Sequence, residues 1–209
     1  ASDTIASLAG AGNVTLNSNT LTVGGSTNTT YSGVMSGTGS LVKAGTATFT
    51  MSGANTYTGG TAINAGTLAL GANNVLADTG AVNVAGGTLD IATFNDTVGT
   101  VTLSSGSITG TTGQLTSANY NVTNTTGTTT ISAILAGSGQ LTKTGAGSLT
   151  LSGANTYSGT TTISAGTLSV SGSLNDATAV TVASGATYDV AASDTIASLA
   201  GAGNVTLNS

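Results

Sequence analysis

Cysteine, proline, tryptophan, histidine, arginine and glutamate are all missing from the 209 residues, and only 4% of the chain is charged. Each absence removes a class of chemistry. Without histidine no serine has an imidazole base, and without cysteine there is no thiolate, so nucleophilic catalysis is excluded. The only cations are Lys43 and Lys143. So little positive surface cannot meet a phosphate backbone or an anionic lipid, which excludes nucleic acid and membrane as partners of this segment. Seven aspartates leave a net charge of −5. No apolar run reaches the roughly 18 to 20 residues of a membrane helix, and no secretory leader precedes Ala1, so the segment is expected to start within a longer protein. Zero cysteine fits export and a reducing cytosol alike.

Threonine is the commonest residue at 44, ahead of 32 glycines, with serine and asparagine following. Strong helix formers other than Ala and Leu are scarce, so helix is not expected anywhere. A hydrophobic fraction of 38% with so little charge also sets the chain apart from solvated disorder.

The stretch from Ala1 to Ser18 returns unchanged as Ala192 to Ser209, a period of 191. An older duplication lies inside that period. Leu41, Lys43, Gly45, Gly53, Asn55, Tyr57, Gly59, Ile63, Gly66 and Leu68 correspond, at an offset of 100, to Leu141, Lys143, Gly145, Gly153, Asn155, Tyr157, Gly159, Ile163, Gly166 and Leu168. With Asp3, Asp96 and Asp194 as markers of one coil in successive units, the chain divides into a half-repeat at 1–93, a homologous half at 94–191, and the start of the next tandem copy at 192–209.

Within each half, short runs such as Val14-Thr15-Leu16, Val82-Asn83-Val84, Val101-Thr102-Leu103, Leu149-Thr150-Leu151 and Val180-Thr181-Val182 alternate apolar and polar residues between Gly-, Asn- or Ser-rich corners. Period-two alternation marks strands with one buried face. Nested repeats favour a solenoid over a sandwich or propeller, because a coil can continue through a repeat junction without an edge. The expected architecture is all-β, a parallel β-helix of roughly 20 residues per coil. One period then makes about nine or ten coils and advances about 45 Å, with Leu, Val, Ile and Ala inside and Thr, Ser and Asn stacked outside.

The segments Leu41-Val42-Lys43 to Gly66-Thr67-Leu68 and Leu141-Thr142-Lys143 to Gly166-Thr167-Leu168, each with a Gly-Ala-Asn-Thr-Tyr core, resemble the autotransporter-associated β-strand repeat. The resemblance implies a right-handed β-helix in the passenger of a large secreted bacterial protein, displayed at the cell surface as an adhesin, autoaggregation factor or stalk. On that reading the partners are copies of the same repeat stacked end to end, with lateral homotypic association, and the segment is not an enzyme. A receptor- or glycan-binding surface within the segment is the alternative, with an ice-binding or polysaccharide-degrading β-helix as lesser ones.

No catalytic, cofactor-binding or metal residue is assigned. Asn55 and Asn155 suit a left-handed corner or a bond to their own backbone, and Tyr57 and Tyr157 supply an apolar body with a polar tip. The pairs Asp90/Asp96 and Asp189/Asp194 recur near corners, where they are expected to be solvated or to cap backbone, with weak calcium binding as the lesser reading. Exposed lysines at 43 and 143 would serve solubility or blunt a sheet face. Thr-x-Thr pairs, as at 46–50, 128–130 and 160–162, do not recur at one coil interval along the sequence, which disfavours an ice-binding face.

Overall fold

A computed structural model describes residues 2–208. Every strand pairing in it is parallel, and no helix is found among the described residues. The strands stack in rows. On the first face, register partners run Asp3, Leu21, Leu41, Thr61, Val82, Val101, Tyr120, Leu141, Thr161, Val180 and Leu199. Each step is one coil of roughly 20 residues, so the chain closes about ten turns of a β-solenoid, as the repeats implied. A second face begins with Thr29–Tyr31 and ends with Asn204–Leu207. A third is intermittent: Val14–Thr15 pairs with Met35–Ser36, and Asp96–Thr97, Gln114–Thr116 and Ile134–Ala136 pair in series.

Alternation decides which side chains go inside. Ser40–Lys43, Thr48–Met51, Ser148–Leu151 and Thr167–Val170 each bury every second residue, the pattern of a sheet packed on one side. Leu41, Met51, Ile63, Leu68, Leu141, Leu151, Ile163 and Leu168 are wholly sealed in one continuous core. Burial of a Leu or Ile contributes about 1.5–3 kcal/mol, which is the main force closing each turn.

Two strands are longer than the short runs expected. Val82–Asp90 and Thr100–Thr109 each run from the first face onto the second. The sequence reads Gly86-Gly87 and Gly106 as corners, but there the chain bends without leaving the ladder. Gly86 and Gly106 take φ of 130° and 86°, open to a residue lacking Cβ, and the pairing slips between Val84 and Thr88 to absorb the bend. Beyond them the second-face step lengthens: Ser107 pairs with Thr130, whereas the following step runs only from Thr130 to Thr150.

The Thr-x-Thr pairs do not stack on one another, but across that longer step single hydroxyls stay in line. Taken in register, one outward row of the second face is Thr48, Thr67, Thr88, Ser107, Thr130, Thr150, Ser169, Asp189 and Thr206. Hydroxyl side chains do recur at one coil interval, and neighbours bond along the row, as between Thr88 and Ser107 at 3.0 Å. On the first face Thr20 and Ser40 are 2.8 Å apart in the same way.

Candidate functional site: polar rungs inside the core

Where third-face strands lapse, side chains take over the ladder. Asn55 Oδ1 accepts from the Met35 N–H of the previous turn at 2.7 Å, while its Nδ2 donates to Val75 O of the next turn at 2.7 Å and to Gly53 O at 2.8 Å. Asn155 repeats this with Leu135 N–H, Ser173 O and Gly153 O. Both asparagines are buried, and each supplies the acceptor for a core N–H, that of Met35 or Leu135, while its amide adds a second donor to Val75 O or Ser173 O, which the asparagine's own N–H already reaches. They bond backbone, as expected. Besides glycines, the residues with positive φ are instead Asn17, Asn74 and Ala92 among the described residues.

Two aspartates stand in the same row. Asp96 Oδ2 accepts the N–H groups of Val75 and Leu76 at 3.0 Å each, and Asp194 accepts Leu174 N–H at 3.2 Å. Their alignment by sequence thus corresponds to a shared role as backbone caps. Asp96 is 2% exposed, and its Oδ1 has no hydrogen-bond partner. Burial pushes its carboxyl up to about 6; the Leu76 and Val75 N–H groups pull the other way, and Asp78 nearby adds to the rise. Asp90 and Asp189 lie instead on the second face. Asp90 accepts Ala92 N–H and the Thr109 hydroxyl, and Asp189 accepts the Ser169 hydroxyl and the Asn208 amide. Neither pair converges into a nest of oxygens, and no group of three acidic or metal-ligating residues occurs among the described residues.

The lysines contradict the expectation of exposure. Lys43 and Lys143 are 1% and 0% exposed and point into the core. Lys43 Nζ donates to the carbonyls of Ala44, Gly45 and Ala65 at 2.7, 3.0 and 3.2 Å. Lys143 Nζ donates to those of Gly145 and Ala165. The corner between first and second faces turns its carbonyls inward, and an ammonium with three donors satisfies several at once. Burial lowers both lysine pKa values. The corner also needs glycine: Gly166 has φ of 71°, and a Cβ there would sit 2.2 Å from Gly147 O.

Each tyrosine tip finds a partner. Tyr57 and Tyr157 hydroxyls lie 2.5 and 2.6 Å from Thr61 and Thr161 Oγ1, two buried threonines in the inward first-face row that elsewhere in the buried turns holds Leu, Val or Tyr120. The Tyr120 hydroxyl lies within donating reach of the carbonyls of Leu115 and Ala136, at 2.6 and 2.7 Å, and its ring packs against Tyr157 with centroids 6.0 Å apart. Tyr57 is pushed up to about 12 by burial, against the pull of the Thr61 hydrogen bond; Tyr120 reaches about 12 for the same main reason. The inward threonines were missed from sequence, although Thr-x-Ile in place of Leu-x-Lys at the strand start is a readable signal.

The buried polar groups thus mostly bond the chain's own backbone, with the tyrosine–threonine pairs bonding each other. This defines a parallel β-solenoid whose recurring unit carries an inward lysine, an asparagine rung and a tyrosine–threonine pair. The passenger-associated-transport-repeat matches residues 41–70 and 141–170, the two stretches holding those features. Both stretches are similar to this repeat, which agrees with the resemblance read from the sequence. A curated relative, the Adhesin BmaC autotransporter of Brucella suis biovar 1 (strain 1330), is 47% identical over 108 residues, covering 48% of this chain. The match spans 3% of that relative's length. No solved structure matches the chain significantly.

Proposed function

We propose that the chain is a structural, non-catalytic segment of a secreted bacterial surface adhesin, standing outside the cell and supplying length and stiffness. The observation that carries this reading is the row of first-face pairings from Asp3 to Leu199, held in register by side chains wherever the third-face ladder lapses. Such a ladder makes each turn the template for the next, so successive copies extend a rod without a cap. The likeness to an autotransporter adhesin supports the surface location.

Within that reading, the second-face hydroxyl row is the surface for side-by-side association with another copy. It is nearly neutral, and many weak contacts along two aligned rods add up. Electron microscopy of the native material tests the rod: fibres with an axial repeat of about 45 Å are expected, and a compact particle would end the proposal. Thr130→Lys with Thr150→Lys tests the lateral contact. Clumping should fall, whereas unchanged clumping leaves a passive spacer.

A further inference from the structure

The segment that occurs twice does not fold the same way twice. In the first copy, Asp3–Ile5 lies on the first face against Leu21–Val23, Gly10 bridges Tyr31 on the second, and Val14–Thr15 joins Met35–Ser36 on the third. In the second copy, Asp194 is on the third face at Leu174 N–H, Ser198–Gly201 on the first against Ala179–Val182, and Asn204–Leu207 on the second against Thr187–Val190. Asp3 and Asp194, expected to mark one coil position, stand on different faces. Every equivalent residue is displaced by one face.

Spacing explains why both frames are open. A full turn takes roughly 20 residues on the first face. With a period of 191, the Leu21 of a following copy lies too far beyond Val180 for one turn and too near for two. One face segment must be left out at such a junction. In the first frame it is lost before the segment, between Val180 and Asp194; in the second it is lost after, between Leu8 and Leu21. Each of those intervals is shorter than a full turn. The homologous stretch of the other half, Val101 to Tyr120, spends its turn on all three faces.

We propose that this repeated segment is a register-slip element, able to exchange between two pairings one face apart and so to give a tandem array one compliant joint per period. The two frames have comparable pairing. The first offers three first-face partners, a bridge and two third-face partners, and the second offers four on each of two faces and an aspartate cap. In a tandem array every copy has the same flanks on both sides, so partners for both frames are present at each junction. The joint rests on the tandem reading above, but the slip itself is a property of this chain.

Paired cysteines on outward neighbours report the frame, since adjacent strands about 4.8 Å apart fall within disulfide reach. In the full chain, Thr4→Cys with Thr22→Cys and Thr181→Cys with Ala200→Cys capture the observed frames. Ala9→Cys with Thr22→Cys, and Thr181→Cys with Thr195→Cys, capture the slipped ones. Thr15→Cys with Thr22→Cys matches neither and controls for fraying. The observed pairs should close quickly. The slipped pairs should close about 10- to 1,000-fold more slowly, as for a minor state of about 0.1–10%, yet well ahead of the control. Slipped pairs closing no faster than the control would overturn the proposal, as would failure of the observed pairs to close. A negative result here leaves rod formation in the microscope unaffected, so the two readings fail separately.

Discussion

Replacing Asp96 by asparagine should make the protein more stable near neutral pH, contrary to the usual effect of a buried polar substitution. The carboxyl is sealed among apolar neighbours, with two N–H donors on Oδ2 and none on Oδ1. Its folded-state value of about 6 stands about two units above that of an unfolded aspartate, and each unit corresponds to about 1.4 kcal/mol. The folded state therefore holds the proton more tightly than the unfolded state does. The stabilisation linked to that proton is full below about pH 4 and is lost as pH rises through about 6, a swing on the order of 3 kcal/mol. An amide keeps a carbonyl for Val75 and Leu76 N–H and carries no charge, so it copies the rung that Asn55 and Asn155 make. Urea unfolding followed by far-ultraviolet circular dichroism is the assay. Asp96→Asn should gain about 1–3 kcal/mol over the parent near pH 8, shrinking towards zero near pH 4. A difference that does not change with pH, or a less stable variant near pH 8, would refute the argument.

Lys143→Met should destabilise the chain by about 1–3 kcal/mol by orphaning the Gly145 and Ala165 carbonyls, where a solubilising surface lysine would give no change in urea midpoint. Tyr157→Phe should cost about 1–2 kcal/mol, and adding Thr161→Val should recover part of it, so a double-mutant cycle should show coupling between the two. Buried Tyr57 and Tyr120 hold their protons to about 12, so stability should fall as pH climbs from 10 towards 12, and spectrophotometric titration of the folded chain should lag behind that in urea. Gly166→Ala forces a Cβ against Gly147 O at a left-handed corner and should lower the unfolding midpoint more than Gly185→Ala, where φ is also positive but nothing lies within 4 Å.

Period-two alternation was enough to read strands and core, because a narrow solenoid core admits only one inward parity, and the repeats supplied the turn length. The same parity already placed Lys43 beside Leu41 and Lys143 beside Leu141 on the inner side. The expectation of exposure followed charge instead, and it failed because inward corner carbonyls can solvate an ammonium. The aspartate rungs were legible as a recurring pair but not as a row, since their partners depend on where the third-face ladder lapses. The threonine row was hidden by one lengthened step, Ser107 to Thr130, invisible without register. The long strands were hidden because Gly-Gly marks a chain reversal and a bent ladder alike.

Sealing both lysines inside also decides the electrostatic character of the exterior. Asp3, Asp78 and Asp176 are exposed and Asp90, Asp189 and Asp194 partly so, while no lysine ammonium reaches the surface among the described residues. The outside of the rod is thus of one sign, with sparse negative points on an uncharged hydroxylated wall. Two such rods repel at every separation within the Debye length, about 8 Å at physiological ionic strength. On the proposed lateral association, low-salt medium should keep rods apart and brine or divalent cations should let their walls touch, which light scattering across a salt series checks.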